Sequence, residues 1–67
     1  MFEEKAGEIA GKIWNALSEK NELTGKELKK AIKVRAEKDM FLGIGWLLRE
    51  GKLNVVETEK DILVSLK

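Results

Sequence analysis

The sequence predicts an α+β domain in which three helices precede a C-terminal β-hairpin. Two observations lead to this fold class. Apolar residues recur at helical spacing through most of residues 3–50. After Gly51 they alternate with polar residues, as they do in strands that bury one face. Because a chain of 67 residues has room for one domain, residues 1–67 are expected to fold as a single unit.

The first predicted helix covers residues 3–20, EEKAGEIAGKIWNALSEK. Its apolar residues follow the spacing of a helix with one buried stripe, and Trp14 on that stripe is expected in the core. Gly7 and Gly11 lie one turn apart on an adjoining face, where each costs about 1 kcal/mol relative to alanine. These costs predict that another backbone approaches closely, from either the hairpin or a second chain. The stripe consists of Ala6, Ile9, Ala10, Ile13, Trp14 and Leu17.

The second predicted helix follows a break and a short extended segment at residues 21–24, NELT. Thr24 and Glu27 have capping-box spacing, in which the threonine caps the helix and the glutamate reaches back. The helix is therefore expected to run from Gly25 to about Lys33. Its inward side chains are predicted to be Leu28, Ala31 and Ile32.

The third predicted helix follows a tight turn at residues 34–36 and begins near Glu37. Acidic residues in its first turn suit the helix dipole, and Gly51 is its expected stop. At about 100° per residue, the inward face carries Met40, Ile44, Leu47 and Leu48, with Phe41 and Gly43 at the margins. The outward face carries Lys38, Leu42, Gly45, Trp46 and Arg49, with Asp39 beside it.

The last segment is predicted to be a hairpin with a four-residue loop, Thr58 to Asp61. Leu53 and Val55 share one face of the first strand, and Ile62, Val64 and Leu66 share one face of the second, which must match it. Each apolar residue then meets an apolar partner. The predicted pairs are Leu53 with Leu66, Val55 with Val64, and Val56 with Leu63.

This order of helix, short strand, helix, tight turn, helix and hairpin is that of a winged helix-turn-helix domain. The run LTGKELKKAI, followed by LLREGKL, resembles the second helix, third helix and wing of small prokaryotic regulators. The runs AGEIAGKIWNAL and LGIGWLLRE resemble a family of short, uncharacterised bacterial and archaeal winged helix-turn-helix proteins. That resemblance covers nearly the whole chain, and G-W-L is its most specific part. It implies the winged helix-turn-helix fold and a homodimer. It points to no particular activity, because the function of the family is not established.

Composition argues against catalysis. Histidine, cysteine and tyrosine are absent, which removes the commonest general bases and nucleophiles, so Ser18 and Ser65 lack a base partner. Gly43 and Gly45 begin like a G-x-G-x-x-G phosphate loop, but Leu48 takes the place of the third glycine. The sequence predicts no enzyme, no cofactor, no disulfide and no metal site.

Targeting signals are also missing from the sequence. It contains no signal-peptide pattern and no apolar run near the roughly 18 residues that a membrane span needs. The absence of cysteine fits a reducing compartment. We therefore expect a cytoplasmic protein with no membrane partner.

Basic charge is concentrated in one part of the chain, although the net charge is only +1. Residues 20–38 contain seven basic and three acidic residues, while the segments on either side are net acidic. In a helix-turn-helix, the first helix of the pair crosses the phosphate backbone, so lysines there could contact phosphates of double-stranded DNA. A solvated lysine-rich face is the plainer interpretation. The candidate phosphate contacts are Lys26, Lys29, Lys30, Lys33, Arg35 and Lys38.

The third helix is poorly equipped to read bases. Base-edge recognition needs donors and acceptors such as those of Arg, Lys, Asn or Gln, and the outward face is largely apolar. The predicted wing loop adds Glu57, Glu59 and Asp61 against Lys60, which would repel phosphates. Any DNA association is therefore expected to be weak, salt-sensitive and independent of base sequence.

An alternative function is protein association without DNA binding. Leu42 and Trp46 lie one turn apart on the outward face, and Gly45 beside them leaves room for a partner. Val56 and Leu63 form a second apolar pair on the outer face of the wing. A structural role is the other interpretation of Trp46, which could fold back against the first helix or the hairpin.

Overall fold

The structure, a computed structural model, describes residues 2–67 and the side chains from residue 3 onward. Three helices and three strands follow in the predicted order. They are α1 (Phe2–Lys20), β1 (Glu22–Thr24), α2 (Gly25–Ile32), α3 (Glu37–Arg49), β2 (Leu53–Glu57) and β3 (Ile62–Leu66). The predicted α+β winged helix-turn-helix fold class is confirmed, with β2 and β3 as the wing.

The three strands form an antiparallel sheet in the order β1-β3-β2. The hairpin has the predicted register, because all three apolar pairs between β2 and β3 lie directly opposite each other. Strand β1 pairs with the other edge of β3, where Leu23 lies opposite Val64. The extended segment was expected, but its partner strand was not predicted.

The core is built from one face of each helix and the inner face of the sheet. Ile13 and Leu17 of α1, Leu28 of α2 and Val64 of β3 are fully buried at its centre. These four side chains join α1, α2 and the wing strand β3 in one core. The positions of the outer surfaces therefore depend on this packing.

The capping box at the start of α2 is confirmed. The Thr24 hydroxyl accepts a hydrogen bond from the Glu27 N–H at 3.1 Å, and the Thr24 N–H donates to Glu27 Oε1 at 2.9 Å. At the other end Lys33 has a left-handed backbone with φ of 57°, which ends the helix. A local sequence signal therefore defines the start of this eight-residue helix, and the left-handed backbone of Lys33 marks its end.

Helix α3 lies directly on α1 at Gly43. A Cβ atom on Gly43 would be 2.5 Å from Cγ2 of Ile9 and 2.9 Å from Cδ1 of Ile13, so only glycine fits without rearrangement. The predicted close approach at Gly7 and Gly11 is wrong within this chain, because a Cβ at either position would have no neighbour within 4 Å. The alternative of a second chain at these glycines stays a prediction.

Three predicted core side chains are exposed. Leu48 is 46% exposed. The face of α3 that carries Gly43 packs against α1, and Leu48 therefore points towards solvent. Trp14, which is 41% exposed, lies at the edge of the α1 stripe rather than within it. Ala31 is exposed because α2 buries the face of Leu28 and Ile32 instead.

Candidate nucleic-acid interface and apolar surfaces

The six predicted phosphate contacts follow one another along the chain in α2, in the turn after it and in the first turn of α3, and we call them the basic row. Lys29 is half-buried, and the other five side chains are exposed. Within the described residues 2–67, the only ion pair joins Lys5 to Asp39, at 3.2 Å. Among the described residues, no cation of the basic row forms an ion pair with a carboxylate, although the charge of Lys26 acts on nearby Asp61. The basic row consists of Lys26, Lys29, Lys30, Lys33, Arg35 and Lys38.

The N-terminus of α2 is already occupied by a carboxylate from the wing turn. Asp61 Oδ2 accepts from the backbone N–H of Lys26 at 3.1 Å, and Oδ1 accepts from the N–H of Ile62 at 2.7 Å. These two hydrogen bonds, that from Ile62 first, lower the pKa of Asp61 below its usual value of 3.8. The acid that was expected to repel phosphate instead joins the wing to α2.

Two further features hold Asp61 in place. The Thr58 hydroxyl accepts from the Asp61 N–H at 3.0 Å and donates to the Asp61 carbonyl at 2.7 Å, which closes the wing turn. Gly25 then leaves room for the carboxylate, because a Cβ there would be 2.6 Å from Asp61 Oδ1. Gly25 and Asp61 were not recognised as partners in the sequence, since 36 positions separate them and only the fold brings them together.

The outer face of α3 has a narrow polar centre between two apolar edges. Lys38, Gly45 and Arg49 are exposed along its centre. On the edge towards α1, Trp46 is 36% exposed, whereas Leu42 is half-buried rather than fully outward. The half-burial of Leu42 has the same cause as the exposure of Leu48, namely the rotation of α3 towards α1 at Gly43.

The opposite edge of α3 carries Phe41 and Leu48. The Phe41 side chain is 48% exposed and borders a cleft next to α2 and the wing turn. Helical periodicity placed Phe41 at the margin of the buried face, so nothing in the pattern distinguished it. Exposed apolar surface therefore flanks the polar centre on both sides, which leaves few groups able to read base edges.

The wing presents a separate apolar pair on its outer face. Val56 is 58% exposed, and Leu63, directly opposite in the register, is half-buried. Cross-strand contact between the two stabilises the hairpin, whether or not a partner covers them.

Trp14 makes a contact that the sequence did not suggest. The ammonium group of Lys52 lies 5.6 Å from the centre of its ring, within the range of a cation–π interaction. Lys52 follows α3 in the chain, so this contact joins the end of α3 to α1 on the molecular surface.

Residues 2–67 contain no group of three or more His, Cys, Asp or Glu side chains arranged to hold a metal ion. No helix in this same part of the chain is long and apolar enough to cross a membrane.

The fold agrees with a comparison against protein families. The model of the winged helix-turn-helix domain family DUF2582 matches residues 1–66. The chain belongs to this family. DUF2582 is a family of unknown function, so the resemblance noted from the G-W-L segment is confirmed together with its lack of an assigned activity. No curated protein matches the chain. Winged helix-turn-helix domains often bind DNA and are generally non-catalytic, and a DUF2582 domain inherits that expectation through its fold alone.

Proposed function

We propose that this protein is a non-catalytic, DNA-associated module of the cytoplasm that contacts phosphates of the double helix through its basic row. The observation that carries this proposal is the set of six unpaired cations along α2 and the following turn. In a helix-turn-helix this helix crosses the DNA backbone, which is where unpaired cations are useful. Phosphate contacts position a protein on DNA without reading its sequence.

The proposed association is independent of base sequence. The outer face of α3 has only Lys38 and Arg49 as cations, on either side of Gly45, which has no side chain. Exposed Glu57 and Glu59 on the wing oppose any additional contact there. A module of this kind would bind many DNA sequences weakly.

The test is a titration of random-sequence duplex DNA at several salt concentrations. Log affinity should fall linearly with log salt, with a slope of about 0.9 per phosphate contact. Lys30→Ala should weaken binding and reduce the slope by about 1, since it removes one contact. The matched control is Lys67→Ala, which removes one exposed lysine beyond the end of β3, away from α2.

Two results would overturn the proposal. One is a lack of binding even at low salt. The other is an equal loss of affinity in the Lys30 and Lys67 variants, because binding would then follow net charge rather than the basic row.

A second candidate function is homodimerisation through the Trp46 surface, which we define as Leu42, Gly45 and Trp46. The specific observation in its favour is an aromatic side chain 36% exposed beside a glycine whose missing Cβ would meet nothing within 4 Å. Tryptophan is a frequent hot spot in protein interfaces, and the open space at Gly45 would let a second copy approach the helix closely. Gly7 and Gly11 on α1 offer similar open space. Val56 and Leu63 would then belong to a smaller, separate surface.

Sedimentation equilibrium of the wild type and Trp46→Ala tests this candidate. The wild type should be a dimer, and the variant should dissociate at least about tenfold more readily, as expected for the loss of a hot-spot residue. Phe41→Ala is the matched control, because it removes a similarly exposed aromatic ring from the other edge of α3. A monomeric wild type, or a Trp46 variant that associates as tightly as the control, rules out this surface as the dimer contact.

A further inference from the structure

A cleft of about 350 Å³ lies between the start of α2, the first half of α3 and the wing turn. Its size is at the lower end of the range for small-ligand sites. Three elements that are distant in the sequence contribute to it, so it exists only in the folded domain. Part of the basic row lies on one wall and the apolar edge of α3 forms another.

The charge of the cleft favours an anion. Lys26, Lys29 and Lys60 line it, and no carboxylate in the described residues forms an ion pair with any of them. Two carboxylates, Asp61 and Glu37, also line the cleft, so its three lysines exceed its acids by one charge. Asp61 stays ionised, and its oxygens accept from the backbone N–H groups of Lys26 and Ile62.

An aromatic ring lines the same cleft as these cations. Phe41 lines the cleft while leaving 48% of its surface exposed, and buried Met40 lies next to it in the lining. Cations that track a phosphate backbone, combined with an aromatic ring that stacks on a base, are the two parts of sites for single-stranded nucleic acid.

We propose that this cleft binds an unpaired nucleobase stacked on Phe41, with the flanking phosphates held by Lys26, Lys29 and Lys60. The faces of bases in a duplex are covered by their neighbours, and a protein in the groove reads only their edges. Phenylalanine has no hydrogen-bonding group for an edge, but its ring suits the face of a base. The ligand class is therefore single-stranded nucleic acid, which goes beyond the duplex contacts proposed above.

The test compares a labelled oligothymidylate of about ten nucleotides with a duplex of equal length. Phe41→Leu, which keeps an apolar side chain but removes the aromatic face, should weaken single-strand binding about tenfold. Its duplex affinity should stay within about twofold, below the loss expected for a broken contact. Trp46→Leu is the matched control, because it alters the exposed ring on the opposite edge of α3 and should leave single-strand affinity unchanged. Thermal unfolding of each variant verifies that the domain still folds.

Competition identifies what the cleft recognises. Thymidine monophosphate should displace the oligonucleotide at lower concentration than pyrophosphate, because only the nucleotide carries a base. Equal competition by pyrophosphate, or an unchanged single-strand affinity in Phe41→Leu, would overturn the inference. Lys26 and Lys29 belong to both proposals, but the duplex proposal fails separately, since its test uses duplex DNA and Lys30, which lies outside the cleft lining.

Discussion

At the scale of single residues, Gly43 determines which side chains of α3 reach the surface. Ile9 and Ile13 pack where its Cβ would be, and the helix turns towards α1 as a result. Helical periodicity correctly predicted that Met40, Ile44 and Leu47 are buried. It failed at Leu48, because the direction of a buried face depends on how closely two helices approach, which a single helical wheel does not contain.

Replacing Gly43 by alanine should destabilise the protein. The added methyl group would overlap the Ile9 side chain and lie 3.2 Å from the Ala10 backbone nitrogen, where little relaxation is available. Overpacking of this kind costs about 1–3 kcal/mol, more than the roughly 1 kcal/mol that alanine gains over glycine in a helix. Urea denaturation at low protein concentration should show a reduced free energy of unfolding.

The matched control is Gly45→Ala, two positions away in the same helix. The space around Gly45 is open, so alanine should raise the free energy of unfolding by up to about 1 kcal/mol. Equal free energies of unfolding for the two variants would contradict the close contact between α3 and α1 at Gly43.

The charge of Asp61 makes the free energy of unfolding depend on pH in the acidic range. Its pKa is lower in the folded protein than the usual 3.8, because the Ile62 and Lys26 backbone N–H groups donate to the charged carboxylate. A carboxylate with a lowered pKa stabilises the fold above its unfolded pKa, and that contribution disappears as pH falls through the folded value.

Asp61→Asn should therefore be less stable than the wild type near neutral pH, and the difference should shrink below about pH 4. Denaturation of both proteins from pH 7 to pH 2 measures this, with Glu59→Asn as the control, since Glu59 is exposed on the same turn. A stability difference that does not change with pH would mean that the Asp61 charge plays no part in joining the wing to α2.

At the scale of elements, local signals in the sequence were the most informative. The capping box, the glycine after α3 and the alternation in the hairpin predicted the number of elements, the start of α2 and the strand register. The pairing of β1 with β3 was not predictable, because a three-residue strand carries too little pattern to select a partner. The contact of Asp61 with α2 was not predicted either, because its partners are far apart in the sequence and only the fold brings them together.

The cap of α2 should contribute measurably to stability, since a helix of eight residues depends strongly on its ends. Thr24→Ala removes the hydroxyl that accepts from Glu27 and should cost about 1 kcal/mol in urea denaturation. Thr24→Ser keeps that hydroxyl and should stay within about 0.5 kcal/mol of the wild type. A loss as large for serine as for alanine would assign the effect to packing of the threonine methyl group.

At the scale of the whole molecule, the basic row and the Trp46 surface lie mainly on different helices. The basic row follows α2, whereas the Trp46 surface lies on the edge of α3 nearer α1. The sequence predicted both sets of residues but not the cleft between α2, Phe41 and the wing turn. That cleft depends on residues as far apart as Lys26 and Lys60, which only the packing of the core brings together.

A domain of this size has little stability to spare, because 67 residues bury only about 60% of their unfolded surface. If two copies associate through the Trp46 surface, association is linked to folding, and the thermal midpoint must rise with protein concentration. For the wild type, we expect the midpoint to rise by several degrees over a hundredfold range of protein concentration. This follows because each 1 kcal/mol of added stability raises the midpoint of a small domain by roughly 4–8 °C. Trp46→Ala should show a smaller rise over that range, while Phe41→Ala should keep the wild-type dependence. Calorimetry of the three proteins measures these midpoints. A wild-type midpoint that does not change with protein concentration would mean that Trp46 lies on the surface of a monomer.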